Sequence, residues 1–231
     1  MIKVVSPGFY ASIQDLGRNG YCAIGVPVSG VMDSYSAKLA NILLGNNIDD
    51  AVLEVFFGGV RLQFLEDCYL CISGADFSVE RNNELIKLNV PFLASKGSEL
   101  RFGKRKYGAR TYIGVKGGVN VEKVLGSRSW YSGITSAMKL EKEMLLPVNT
   151  AIDYQLDIER GVLKSPMNHF LAKEIECFKG PEFDLLSTEQ KKILLSEKYT
   201  ISGDNSRMGY RLHEEVPNNF DSMLTSSVLP G

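Results

Sequence analysis

Val60, Leu62 and Phe64 alternate with Arg61 and Gln63, the period-2 pattern of a strand with one buried and one wet face. Residues 68–73 (CYLCIS) are more uniformly apolar and are bounded by Glu66-Asp67 and Gly74, which predicts a strand covered on both faces. Phe77 and Val79 lead into Arg81-Asn82-Asn83-Glu84, and Ile86 and Leu88 lead out, which reads as a hairpin. Further strands are expected at Leu100 and Phe102, and from Tyr112 to Val115. Turn signals recur about every 8–12 residues, the spacing of a sandwich or barrel. Two helices interrupt the strands. Asp33 or Ser34 can cap a helix whose apolar positions Tyr35, Leu39, Ile42 and Leu43 share one face, with Gly45 placed to end it. Ser187-Thr188-Glu189-Gln190 fits a capping box ahead of Ile193, Leu194 and Leu195.

The polar, Gly- and Pro-containing stretch 157–168 (DIERGVLKSPMN) is the candidate domain boundary. A pattern Y-x4-D-x2-R-x-G-Y occurs twice, at Tyr10, Asp15, Arg18, Gly20 and Tyr21 and again at Tyr199, Asp204, Arg207, Gly209 and Tyr210. The repeat favours two related domains.

Composition narrows the function classes. The 231 residues are 44% hydrophobic and 23% charged, which excludes a largely disordered or fibrous chain. A net charge of −1 argues against a dedicated nucleic-acid binder. No apolar run approaches the roughly 20 residues that span a bilayer, and MIKVVSPGFY has no signal-peptide core. Four cysteines are too few for a disulfide scaffold, so a soluble cytoplasmic protein is expected.

Only two histidines, His169 and His213, are present, which leaves little for a histidine metal site or a Ser-His-Asp triad. Cys68 and Cys71 form a lone C-x-x-C, but residues three apart on a strand point to opposite faces, wrong for a shared metal. Gly103-Lys104 is followed by Arg105 rather than Ser or Thr, so it is no Walker A loop. Lys96, Arg101, Lys104, Arg105, Lys106 and Arg110 form one basic run, read either as a solvated strand edge or as an anion-attracting rim. The richest stretch is 14–33, where four glycines and Pro27 surround Asp15, Arg18, Ser29 and Asp33. An arginine fork suits a phosphate or carboxylate, and paired acids suit a metal or proton transfer. The structural alternative is that Asp15 and Arg18 pair to lock the loop and that Asp33 only caps a helix.

The residues QDLGRNGY…GVPVSGVMD, Ala40-Asn41, Gly45-Asn46 and Leu53-Glu54 resemble the allophanate hydrolase subunit 2 family. That family takes in the C-type subunit of 5-oxoprolinase, the carboxyltransferase domain of urea amidolyase and the antagonist of a sporulation-kinase inhibitor. The likeness continues through Gly108, Arg110, Tyr112, Gly117-Gly118, Gly126-Ser127-Arg128-Ser129, Gly180-Pro181 and Ser206–Leu212. This chain departs from the family at Trp130, where Thr is usual, in the SGITSAMKLEKEM stretch that replaces a glycine-rich one, and at its last residues Leu229-Pro230-Gly231, where relatives continue.

The resemblance implies a mainly β, cyclophilin-like barrel architecture in two subdomains with a few short helices, 1–160 and 161–231, the second incomplete relative to the family. It implies a B-type partner of cyclophilin-like fold, an A-type hydrolase partner, and ATP-dependent opening of 5-oxoproline to L-glutamate, with ATP and Mg²⁺ as cofactors. Asp15, Arg18 and Asp33 are then the catalytic candidates, and Ser29, Arg128, Arg207 and Arg211 the candidates for binding a small carboxylate or amide substrate, or the nucleotide. Two other readings share the fold: a non-catalytic antagonist of a histidine-kinase inhibitor, and a biotin-dependent carboxyltransferase acting on urea or a related amide.

Overall fold

In the computed structural model, which describes residues 1–149, 170–205 and 209–218, strands dominate. One sheet runs in the order β11 (Leu145–Leu146), β1 (Ile2–Pro7), β4 (Val60–Phe64), β9 (Glu99–Arg101), β6 (Glu80–Arg81), β7 (Glu84–Leu85). The other runs β2 (Tyr10–Gln14), β3 (Val52–Phe56), β10 (Tyr107–Val115), β5 (Cys68–Asp76), β8 (Phe92–Ala94). Every pairing is antiparallel. The mainly β expectation holds, and among the described residues the strands form two open sheets rather than one closed barrel.

Register explains the core. Val4, Leu62 and Leu100 sit opposite one another across β1, β4 and β9, and all three are fully buried. In the second sheet Ile13, Leu53, Ile113 and Ile72 form a similar row across four strands. Both rows belong to one hydrophobic cluster, so the two sheets share a core. A one-residue slip would turn either row out of that core. At the hairpin, Asn82 (φ 51°) and Asn83 (φ 69°) both take the left-handed backbone of a tight two-residue turn, but the flanking strands are only two residues each.

The opposite face of the second sheet carries Ser12, Glu54, Tyr112 and Ser73 in one row, and all are buried too. The cover is α1 (Ser34–Leu43). Its buried face is Ser36, Ala37, Leu39, Ala40 and Asn41, while Tyr35 and Ile42 are about half exposed. The apolar stripe expected from Tyr35 to Leu43 is therefore rotated toward small residues. The reason lies in Gly114 of β10: a Cβ there would lie 3.2 Å from the Ala40 Cβ, so helix and strand approach closely only because both positions are small. Gly45 follows the helix at φ 63°, as expected for its end.

After β10 the chain straps over the outer edge of β2, with Trp130 N–H on the Ile13 carbonyl (2.9 Å) and Leu140 N–H on that of Ala11 (2.7 Å). An otherwise open strand edge is thereby satisfied. Residues Met1–Leu171 make one compact unit and Ala172–Gly231 a second. The second holds α2 (Thr188–Ser196), whose Ser187/Gln190 capping box forms as the sequence predicts, and a single bridge between Ile201 and Leu212 among its described residues. The stretch 157–168 and His169 lie outside the described residues.

Candidate functional site

At the end of β2 the chain turns at Gly17 (φ 94°) and comes back alongside itself. Arg18 N–H donates to the Val28 carbonyl (2.8 Å) and Val31 N–H to that of Asp15 (3.0 Å), tying 15–18 to 28–31. A Cβ on Gly17 would lie 2.7 Å from the Val28 carbonyl oxygen, so only glycine fits between these backbones. Ser29 itself adopts φ 59°, a conformation that a residue with a Cβ holds at some cost.

Asp15 is 8% exposed, and its carboxylate accepts four hydrogen bonds: from Gly17 N–H (2.8 Å), Ser127 Oγ (2.6 Å), Ser129 Oγ (2.6 Å) and Arg128 N–H (2.5 Å). Burial pushes its pKa up, but the two hydroxyls and two backbone amides together outweigh it, and the net pKa lies below the usual carboxylate value. Asp15 thus pins the Gly-Ser-Arg-Ser loop to the glycine loop. It carries a charge that holds the backbone, and its oxygens are occupied.

Arg18 is the largest fully buried side chain among the described residues. It is not paired with Asp15. Its guanidinium donates to neutral acceptors: Nη1 to Ser29 Oγ (3.0 Å), Nη2 to the Ser129 carbonyl, and Nε, at 3.5 Å, to the Val124 carbonyl. Arg128 similarly donates from Nε to the Val121 carbonyl (2.9 Å) and from Nη2 to Asn120 Oδ1 (2.7 Å). Neither arginine makes an ion pair among the described residues, and both anchor on the 120–124 segment. Arg18 is a buried cation whose three nitrogens are all satisfied within the protein, whereas Arg128 is only partly buried.

The Asp33 carboxylate shares no hydrogen bond with these residues. Asp33 is the N-cap of α1, accepting from Ser36 N–H (3.0 Å) and Ser36 Oγ (2.5 Å). Its own N–H donates to Tyr112 Oη (2.7 Å), Tyr112 donates to Glu54 Oε2 (2.9 Å), and Met32 N–H reaches the same oxygen (2.9 Å). Arg110 lies 3.6 Å from Glu54 Oε1, with its guanidinium over the Phe56 ring at 4.5 Å. Burial and then the Glu54 charge raise the Tyr112 pKa, so its phenol stays protonated and donating. Glu54, Tyr112, Ser127 and Ser129 were not readable as parts of a site from residue type alone. Their only sequence signal is membership of the Leu53-Glu54, Arg110…Tyr112 and Gly-Ser-Arg-Ser motifs.

Ser29, Arg18, Asp15 and Arg128 are therefore brought together, while Asp33 is turned to its helix. Arg211 lies exposed in the second unit, with its N–H on Asn205 Oδ1 (3.0 Å), and Arg207 lies outside the described residues. Asp204, the repeat counterpart of Asp15, is exposed. The acidic candidates do not fit Mg²⁺-ATP: the Asp15 and Asp33 oxygens are taken by local donors, and among the described residues no three His, Cys, Asp or Glu cluster to hold a metal. Cys68 and Cys71 are buried on β5, where burial pushes their thiols up to about 11 and about 12, so both stay protonated. No helix among the described residues is long and apolar enough to cross a membrane.

Comparison with known proteins agrees with this architecture. The chain is 39% identical over 226 residues to a urea amidolyase of Lachancea kluyveri, covering 91% of this chain and 12% of that protein. It is 24% identical over 238 residues to the C-type subunit of 5-oxoprolinase from Escherichia coli, covering 100% of this chain and 75% of the relative. Among solved structures, the K. lactis urea amidolyase superposes with a TM-score of 0.77 at 30% identity, covering 93% of this chain and 14% of that one. TTHA0988 superposes with a TM-score of 0.77 at 28% identity, covering 94% and 79%. The chain therefore spans about an eighth of the urea amidolyase and about three-quarters of the 5-oxoprolinase relative. Residues 24–231 match the carboxyltransferase domain, subdomain A and B, and the chain belongs to that family.

Proposed function

We propose that this chain is the C-type subunit of an ATP-dependent 5-oxoprolinase, which opens 5-oxoproline to L-glutamate together with A-type and B-type partners. The observation that carries the reading is the match to the C-type 5-oxoprolinase relative, which runs the whole length of this chain and most of the relative's. The site is compatible with it. Arg128, partly exposed and without an ion pair among the described residues, offers positive charge suited to a substrate carboxylate, while the buried Arg18 braces the loop behind it.

A lactam resists water because its amide resonance must be broken, and ATP supplies the driving force by activating the carbonyl oxygen. The donor set here does not suit Mg²⁺, so nucleotide would be held elsewhere in the complex. The part of this chain is to bind and orient: Asp15 fixes the two loops against each other, Arg18 braces them from within, and Arg128 holds the substrate anion. Exposed free Cys22 and Cys177 fit the reducing cytoplasm, where ATP is at hand.

Biotin-dependent carboxyl transfer to an amide is the second reading, favoured by the higher identity to the urea amidolyase. Two mixtures separate the readings: the purified chain with its A-type and B-type partners and ATP, and the chain with a biotin carboxylase, its biotinylated carrier, bicarbonate and ATP. Phosphate release that depends on 5-oxoproline supports the first reading. Avidin-sensitive carboxylation of urea, with no response to the lactam, replaces it with the second.

A further inference from the structure

The turn between β1 and β2 and the turn between β3 and β4 meet back to back. Phe9 N–H reaches the Gly58 carbonyl (3.4 Å), and a Cβ on Gly8 would collide with that same oxygen, so the contact needs glycine. The meeting gathers three phenyl rings. Their centroids are 5.9 Å apart for Phe9 and Phe56, 6.2 Å for Phe9 and Phe57, and 4.3 Å for Phe56 and Phe57. The cluster is left in water, with Phe9 76% and Phe57 48% exposed. Phe57 also holds φ 55°, a left-handed backbone that a bulky residue adopts at a cost and that glycine or asparagine takes more readily. Folding alone gains little from a strained, wet phenyl ring, and exposed apolar patches with a polar rim mark interaction sites.

The rim of this patch is cationic. Within the basic run, Arg101 pairs with Glu80, Lys106 with Asp76, and Arg110 lies by Glu54, whereas Lys104 and Arg105 have no acidic partner among the described residues. The Arg105 guanidinium lies over the Phe57 ring at 5.9 Å. Phe9 in turn borders a cavity of about 280 Å³ whose lining also holds Pro7, Tyr10, Lys139 and Lys142. Tyr10 Oη donates to the Met138 carbonyl (3.2 Å) and Leu140 N–H to that of Ala11 (2.7 Å), which fixes this segment beside the turn. Lys139 and Lys142 have no acidic partner among the described residues, the exposed Glu141 is the one acid of the lining, and Glu143 is held by Lys3 (2.7 Å). We propose that the Phe9–Phe57 patch and its cations form a docking surface for an acidic segment of a partner protein that carries an aromatic or large aliphatic anchor. The anchor covers the rings, and carboxylates around it meet Lys104, Arg105, Lys139 and Lys142. A second copy of this chain fits poorly, since a two-fold contact would set these cations against themselves. The inference rests on the proposed complex only for which protein supplies the segment.

Binding to the purified full chain is measured for the A-type and B-type partners, each alone, and for a short Glu- and Asp-rich peptide carrying one phenylalanine. Saturable binding of a partner and of the peptide, weakening as salt rises, is the expected result, with a peptide that has Ser in place of its phenylalanine binding more weakly. Phe9→Ser and Phe57→Asn should each weaken binding about tenfold or more. Their melting temperatures should stay close to the parent's, because Phe9 is exposed and asparagine suits the backbone at position 57. Arg105→Glu combined with Lys142→Glu should weaken binding and flatten its salt dependence. Partner binding that these variants weaken supports the surface even where the short peptide does not saturate. Unchanged affinity in folded Phe9→Ser and Phe57→Asn, salt-independent binding, no saturable binding of partner or peptide, or a dimer of the chain alone that Phe9→Ser abolishes would each overturn the assignment. Peptide binding through Phe9 and Arg105 with neither partner bound would leave the surface standing and overturn the proposed complex. Partners that bind parent and variants alike would do the reverse.

Discussion

Replacing Asp15 by Ala tests the claim that this residue is the fastening of the site rather than a reacting group. The substitution strips the acceptor from two hydroxyls, Ser127 and Ser129, and from two backbone amides, Gly17 and Arg128. Hydroxyls can rotate to other acceptors, but the two amide groups cannot. Each stranded buried donor costs about 1–3 kcal/mol, so the expected loss is about 2–6 kcal/mol. For a protein of this size 1 kcal/mol shifts Tm by roughly 2–4 °C, which predicts a fall of roughly 10–15 °C for a mid-range loss. Because the folded pKa of Asp15 is depressed, its contribution is complete above the unfolded value of about 3.9 and is lost as pH falls through the lower folded value. Urea titrations of parent and variant at pH 7 and at stepwise lower pH measure both effects. The gap between them should be widest at pH 7 and should narrow below about pH 4. A folded Asp15→Ala variant within about 0.5 kcal/mol of the parent, the range of ordinary surface substitutions, would refute the reasoning.

Three further outcomes are expected. Asp33→Ala should lower stability by about 0.5–2 kcal/mol through loss of the α1 cap, with Asp33→Asn or Asp33→Ser recovering most of it in the same urea titration. Gly17→Ala places a Cβ 2.7 Å from the Val28 carbonyl oxygen at φ 94°, and should destabilise by more than about 1 kcal/mol, whereas at Gly20, where a Cβ meets nothing within 4 Å, only the backbone strain at φ 93° is incurred. In a thiol-labelling time course Cys22 and Cys177 should react at once and Cys68 and Cys71 only on unfolding, since the first pair is exposed and the second buried with raised pKa.

The strands were legible because their cause is local. The alternation of Val60, Leu62 and Phe64 and the apolar run from Cys68 both appear in the burial of β4 and β5. The helix ends were legible for the same reason, since a cap depends on residues a few positions apart, as at Asp33 and Ser187. The buried face of α1 was not, because it is set by the absence of a side chain at Gly114, more than 70 positions away from Ala40 on another element. The same limit applies to the site. The sequence flags Asp15, Arg18, Ser29 and Arg128 as charged or polar residues in glycine-rich motifs. It does not show that Asp15 serves Ser127, Arg128 and Ser129, some 112–114 positions later, or that Arg18 lacks an acid partner. Those facts arise from long-range pairing of loops, which residue spacing does not encode.

The central claim is that this chain is an indispensable part of a lactam-opening complex. The most direct measurement is L-glutamate formed from 5-oxoproline, followed together with ATP consumed, by the A-type and B-type partners with and without this chain. The account predicts that glutamate and ADP appear together only when this chain is present, that the chain alone gives neither, and that Arg128→Ala lowers the rate in the full mixture. Equal glutamate production in the mixture lacking this chain would contradict it.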